Sequence, residues 1–338
     1  MASACAGPAK PRRPPEPLSL PASPTADNLP FVDFHTHVQK RVTAEQLVAY
    51  MDRARVGRMV LMPLAYGDQG GAVNDGEGSD EQALDYARRF PGRFIPFVGM
   101  QRPELVNRNR WISPDAVATS LVAETDWKLR SGAYFGMGEF MLRFYPYTTS
   151  MGIVAVSDMD YPADSRLMQS FAKLSATYRV PMVIHCEAEP DPAAAMIRLL
   201  ERNPEATIVW AHNCGRSSAA AIRTMLKLYS NLHADLGLMM NTGPEGYGNY
   251  WPRRTPWMHL IARSPGRLLP DMKALFEEFP DRFFVGTDTA HARAYRGYEI
   301  RATRWRIFFE QLTPDTARKI GYENAERLFR RGTEPRTL

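Results

Sequence analysis

The chain has 338 residues, of which 44% are hydrophobic, 23% charged and 11% aromatic; this balance builds a sizeable core and excludes a wholly disordered chain, a collagen or a disulfide-dense mini-domain. The net charge of +5, from 42 basic and 37 acidic residues, favours weak attraction to anions and gives no ground for expecting nucleic acid as a partner. No apolar run approaches the ~18 residues of a membrane span, and the three cysteines, none in a CxxC pair, form no complete disulfide set.

The first thirty residues hold eight of the 27 prolines and cannot bury enough apolar surface to fold alone. Residues 1–29 are therefore expected to be a disordered Pro-rich tail, with 30–338 as one domain. Ala2-Ser3-Ala4 before Cys5 resembles the end of a bacterial lipoprotein signal. An ordinary tail on a cytoplasmic protein is the preferred reading, and a lipid-anchored or periplasmic protein the second.

From Pro30 onward, short apolar and β-branched runs alternate with amphipathic segments. Strands are expected at Phe31–Val38, Arg58–Leu64, Arg93–Gly99, Ala133–Met141, Val180–Cys186, Ala206–His212, Leu232–Leu238 and Arg282–Asp288. Thr43 with Gln46, and Ser79 with Gln82, have capping-box spacing. Ser113-Pro114 and Thr313-Pro314 set a capping hydroxyl before a first-turn proline. Gly57, Gly92 and Gly132 fall where a helix would end before the next strand.

Eight strands, each feeding a helical stretch, predict an α/β fold of the (β/α)8 TIM-barrel type over a doubly wound open sheet. The links entering strands are short. Those leaving them, such as 65–78, 101–112, 142–163 and 239–270, are long and rich in Gly, Arg and aromatics, which places function at the C-terminal face.

Phe31-Val-Asp-Phe-His-Thr-His-Val38 is the most informative stretch. Side chains two apart on a strand share a face, so His35 and His37 should point together into the barrel mouth, with Asp33 one step deeper. Their nitrogens can be satisfied by hydrogen bonds or by a divalent metal. Other ionisable groups also close apolar runs: Glu139 on strand four, His185 on strand five, His212 on strand six and Asp288 on strand eight. Six such groups at the ends of five strands favour a common site over separate hydrogen-bonded residues.

This ordered set resembles the amidohydrolase superfamily, and its amidohydrolase-related TIM-barrel branch in particular. The resemblance runs from about Phe31 to Phe329 and includes Asn324-Ala-Glu-Arg-Leu-Phe329, similar to an ending common in that group. It implies a hydrolase that cleaves an ester, lactone or amide bond of a small molecule. The cofactor implied is a divalent metal, one or two ions, with zinc the first choice and manganese the second. His35, His37 and Asp288 would hold the first ion. His185 would complete that site or join a second, and His212 would be either a ligand or a group facing the substrate. Glu139 is the discriminating residue: it would bridge two ions, as a strand-four carboxylate does in some branches and as the Gly-Glu of TatD-like deoxyribonucleases in the same place suggests, or it would have another job beside a single ion. Strand four has no lysine, which disfavours the carbamylated-lysine version. Asp288 and His212 are the catalytic candidates.

Arg143, Asn241 and Arg293 lie in links leaving strands and are candidate substrate contacts. Arg293, Arg296, Arg301, Arg304 and Arg306, interleaved with Tyr295, Tyr298 and Trp305, read as an amphipathic helix with a solvated face before they read as an anion site. His233 falls at the wrong end of strand seven for catalysis, and Cys186 and Cys214 read as buried thiols. There is no complete GxGxxG, Walker A, nucleophile elbow or HExxH. Non-oxidative decarboxylation, TatD-like phosphodiester hydrolysis and a non-catalytic binding barrel are the alternatives. Assembly into a homo-oligomer is compatible with the sequence.

Overall fold

The computed structural model describes residues 13–38, 40–64, 78–145, 147–148, 154–155, 158–240, 259–290 and 292–331. Its frame is a closed ring of parallel strands. β1 comes in two pieces, Phe31–Asp33 and His37–Val38. β2 is Val56–Pro63, β3 is Phe94–Pro96 and Val98–Gly99, and β4 is Met137–Phe144. β5 is Pro181–Cys186, β6 Thr207–Trp210, β7 Leu232–Asp235 and β8 Phe283–Phe284. Both pieces of β1 pair with β2, β2 pairs with β3, and β3 with β4. Pairing then runs in order from β4 to β8. The ring closes through single bonds, Phe34 N–H to Val285 O at 2.9 Å, Asp288 N–H to His35 O at 2.8 Å and His37 N–H to Thr289 O at 3.0 Å.

Helices α1 (Ala44–Ala54), α2 (Asp80–Arg89), α3 (Ala116–Arg130), α4 (Arg166–Tyr178), α5 (Pro190–Arg202), α6 (Ala219–Leu228), α7 (Pro270–Glu278) and α8 (Tyr298–Glu310) follow the strands in turn, and α9 (Asn324–Arg331) ends the described chain. Thr43 and Gln46 make the full reciprocal capping box, and Thr313 caps the helix opened by Pro314. α3 begins later than Ser113-Pro114 suggested: Asp115 is its cap and accepts from Ala118 N–H at 2.9 Å. Gly92 and Gly132 take the positive φ that ends a helix, 80° and 75°. At α1 that conformation falls on Arg55 (φ 54°), while Gly57 lies inside β2, where a Cβ would meet the end of the Leu18 side chain at 2.8 Å. Among the described residues no helix is long and apolar enough to cross a membrane.

The described part of the tail, residues 13–29, has no helix or strand, as its prolines dictate. It is nonetheless laid against the barrel, with Leu18 and Ala26 packed on the core and Leu29 within it. Arg306 on α8 pins it. The buried guanidinium donates to the carbonyls of Ala26, Leu29, Ala54 and Arg55, and burial lowers its pKa to about 10. The face of α8 that carries Tyr298, Trp305 and Arg306 is thus buried, while Arg301 and Arg304 are half-buried.

Candidate metal centre

The outward ends of β1, β4, β5, β6 and β8 converge as the ring closes. Strand alternation holds for His35 and His37, whose ring centroids are 5.2 Å apart. It breaks one residue earlier, in the gap between the two pieces of β1. Phe34 therefore packs inward against Phe97, Phe284 and Phe329. Asp33 does not sit beneath the histidines as alternation implied: its carboxylate accepts from Thr287 N–H at 2.8 Å, Thr287 Oγ1 at 2.7 Å and Tyr298 OH at 2.8 Å. Burial raises its pKa to about 6 against those hydrogen bonds.

Two glycines let the backbone close around His35. A Cβ on Gly286 would lie 2.5 Å from His35 Cβ, and one on Gly237 would lie 2.9 Å from His35 Nδ1. On β4, a Cβ at Gly138 would meet Val183 at 2.8 Å, so this glycine lets Glu139 be seated against β5.

Glu139 is the hub. Its Oε2 lies 3.5 Å from His35 Nε2 and 3.5 Å from His37 Nε2, while Oε1 lies 3.2 Å from His185 Nδ1 and 3.3 Å from His212 Nε2. Asp288 Oδ1 joins the first pair, 3.7 Å from His35 Nε2 and 3.6 Å from His37 Nε2. Gln101, at the mouth end of β3, donates to Glu139 Oε2 at 2.8 Å. Burial raises the Glu139 carboxyl, but His35, His185 and His212 outweigh it and hold the group well below the usual carboxylate range. Burial likewise opposes charging of His35, yet Asp235, Glu139 and Asp288 push its pKa well above the ordinary value. The carboxylates thus make a field that favours a cation.

The opposite ring nitrogens are all engaged. His37 Nδ1 meets Met62 O at 3.2 Å and His212 Nδ1 meets Gly237 O at 3.0 Å. A carbonyl only accepts, so both nitrogens carry the proton. His35 Nδ1 lies 3.0 Å from Asp235 Oδ1, and His185 Nε2 lies 3.0 Å from Glu187 Oε1. Each imidazole therefore turns its lone-pair nitrogen toward Glu139, the orientation that outer hydrogen bonds impose on metal-binding histidines.

Divalent ions fit this donor set. His35 Nε2 is buried with no hydrogen-bond partner. Three triads, His35/His37/Glu139, His35/His212/Asp288 and Glu139/His185/His212, each keep their ligand atoms within 4.8 Å of one another. A tetrahedral ion with bonds of about 2.1 Å spaces its ligands about 3.4 Å apart, close to the separations around Glu139.

His212 is carried on an unusual backbone. His212, Asn213, Cys214, Gly215 and Arg216 all have positive φ, from 53° to 66°. A left-handed turn costs about 1–2 kcal/mol at each non-glycine residue, and all five are buried. Gly215 is required here, since a Cβ would meet Cys186 O at 2.2 Å. Asp288 also takes positive φ, 48°.

The six metal candidates, His35, His37, Glu139, His185, His212 and Asp288, are thus brought together. Arg143 stands apart from them. Its guanidinium is held by Glu189 at 2.7 Å, Asp158 at 2.5 Å and Met159 O at 2.9 Å, and lies 3.7 Å from the Tyr145 ring centroid. Arg293 is exposed on the short helix Ala292–Tyr295, and Asn241 lies outside the described residues. Sequence reasoning missed Gln101, Glu187, Arg216 and Asp235. Of these, Asp235 ends β7 as the other candidates end their strands, and Glu187 lies two residues beyond His185. Cys186 and Cys214 are buried and unpaired, as expected.

The fold has counterparts of known structure. The chain is similar to an uncharacterized TIM-barrel protein, Bb4693 of Bordetella bronchiseptica (15% identity, TM-score 0.56, covering 90% of this chain and 100% of that one). It is similar to N-acyl-D-glutamate deacylase of Bordetella bronchiseptica, solved with zinc and a phosphonate inhibitor (11%, 0.53, 88% and 74%). Dihydroorotase of Saccharomyces cerevisiae is a third (13%, 0.50, 90% and 84%). No match to a curated protein was found. The family model described as amidohydrolase matches residues 32–331, and the chain belongs to the amidohydrolase family.

Proposed function

We propose that the protein is a metal-dependent hydrolase that cleaves an ester, lactone or amide bond of a small molecule. In this reading it uses two divalent ions, zinc in first place and manganese in second. The observation that carries the reading is the division of the Glu139 carboxylate, one oxygen toward His35 and His37 and the other toward His185 and His212. His35, His37, Asp288 and Glu139 would hold one ion, and Glu139, His185 and His212 the other. Ions bound there would supply a water with its pKa lowered to about 7, and would polarise the oxygen of the bond to be cleaved.

The chain's own groups do the rest. Asp288 has 20% of its side chain exposed, whereas Glu139 and the four histidines have 4% or less. Asp288 is therefore the group that reaches the mouth, where it accepts the proton of the attacking water and returns it to the leaving group. The buried imidazoles stay fixed by their outer hydrogen bonds, and Gln101 holds the Glu139 oxygen that faces His35 and His37. The zinc in the deacylase neighbour agrees with this reading, and the likeness to that protein is one of fold.

The test is a panel of carboxylic esters, lactones, amides and phosphodiesters offered to metal-loaded and chelator-treated protein. Turnover of one of the first three classes, lost on chelation, restored by metal and incorporating oxygen from labelled water, is the expected result. Product formed without solvent oxygen, as in a decarboxylation, or cleavage confined to phosphodiesters would overturn it.

A further inference from the structure

Outside the six candidate ligands, Glu187 is a fully buried carboxylate beside the site, between β5 and the left-handed turn. Its Oε1 meets His185 Nε2 at 3.0 Å and pairs with Arg216 Nη1. Arg216 is itself 1% exposed and ends the turn that begins at His212. Ala188 N–H donates to Gly215 O at 3.1 Å, and Glu187 N–H to Arg143 O at 3.0 Å. Both residues that support His185 are therefore fastened to the strands and the turn that carry the ligands.

The four imidazoles are backed in two ways. Within each pair one is backed by a carboxylate and one by a carbonyl: Asp235 and Met62 O behind His35 and His37, Glu187 and Gly237 O behind His185 and His212. Asp235 Oδ1 also accepts only a neutral donor, Gly237 N–H at 2.7 Å, whereas Glu187 shares its charge with Arg216. A carboxylate behind an imidazole raises the basicity of the ligating nitrogen, and an arginine on that carboxylate draws part of the effect away.

We propose that Glu187, held by Arg216, is the positioning residue of the Glu139/His185/His212 ion position, and that this position binds its ion more weakly than the one at His35 and His37. Glu187 fixes His185 as an Nδ1 ligand and sets how readily the second ion exchanges. The inference rests on the two-ion reading above.

The experiment is a titration of metal-free full-length chain with cobalt(II), followed by calorimetry and by the visible spectrum of the bound ion. Wild type is expected to take up two equivalents with distinct affinities. Glu187→Gln keeps the volume and removes the charge; it should weaken only the weaker equivalent, about 10–100-fold, with its spectrum altered and the tighter one unchanged. Arg216→Lys keeps the carboxylate and should move the same equivalent by less. Asp235→Asn should move the tighter equivalent instead. Far-UV circular dichroism of the metal-free variants shows that each folds, and Arg216→Lys carries the test should Glu187→Gln fail to fold. A wild type with one equivalent would overturn the two-ion reading, and this inference with it. Two equivalents in wild type, with both unmoved or both equally weakened by Glu187→Gln, would overturn this inference alone.

Discussion

His212 Nε2 lies 2.8 Å from His185 Nδ1, although the other nitrogen of each ring is already committed to an outer acceptor. Two lone pairs facing across that gap repel unless a cation or a shared proton stands near them. The pair therefore needs a positive charge, and Glu139 Oε1 beside both nitrogens supplies the matching negative one. Replacing His212 with Ala is expected to leave the barrel folded and to remove about one equivalent of metal per chain. Turnover should fall by at least about 100-fold, the scale on which positioned polar groups act. Elemental analysis beside circular dichroism checks this; undiminished metal in His212→Ala would contradict it.

Asp288→Asn keeps the size and one oxygen of the side chain and loses the proton acceptor. It should retain metal at the His35/His37 position while kcat drops by about 100- to 10,000-fold, the usual range for a general base. Near-normal hydrolysis by this variant would remove Asp288 from its role.

Arg306 predicts a purely structural effect. Arg306→Met removes the donor from four carbonyls, that of Leu29 buried and those of Ala26, Ala54 and Arg55 part-buried, each bond worth about 1 kcal/mol net. The variant should unfold at lower denaturant, by about 2–4 kcal/mol, and residues 13–29 should become more open to proteolysis. Equal protease resistance in variant and wild type would show that the tail is held by other contacts.

His233, on β7 away from the metal candidates, predicts an acid limb of stability. Burial, then repulsion from Arg282, Arg331 and Arg327, holds its pKa well below 6.5. Below pH 6.5 the unfolded chain takes up a proton that the folded chain refuses, so stability is lost as pH falls from there toward the folded pKa. The loss is about 1.4 kcal/mol per pH unit for one proton. His233→Leu should flatten that limb of the curve measured by denaturant unfolding; an unchanged slope would contradict the assignment.

Most of the site was legible because a closed barrel turns a linear rule into a place. An ionisable residue closing an apolar run ends up at the mouth, and this holds for Glu139, His185, His212 and Asp288. The same rule applied to Asp235 would have found the carboxylate behind His35. What alternation could not show is where the pleat slips. The break at Phe34 sends Asp33 to Thr287 and Tyr298, and nothing in Phe31–Val38 marks it. The left-handed run from His212 to Arg216 was equally hidden, since four of its five residues are not glycine and only contacts across the fold hold them there. Arg306, legible as one of a basic series, is buried because the tail and the end of α1 present it with carbonyls, a pairing far apart in sequence.

The most direct measurement is a crystal structure of zinc-loaded protein with anomalous scattering at the zinc edge. Two peaks are expected, one beside His35 and His37 and one beside His185 and His212, each touched by a different oxygen of Glu139. A single peak with both Glu139 oxygens turned away from His185 and His212, or no peak inside the ring of six residues, would contradict the account.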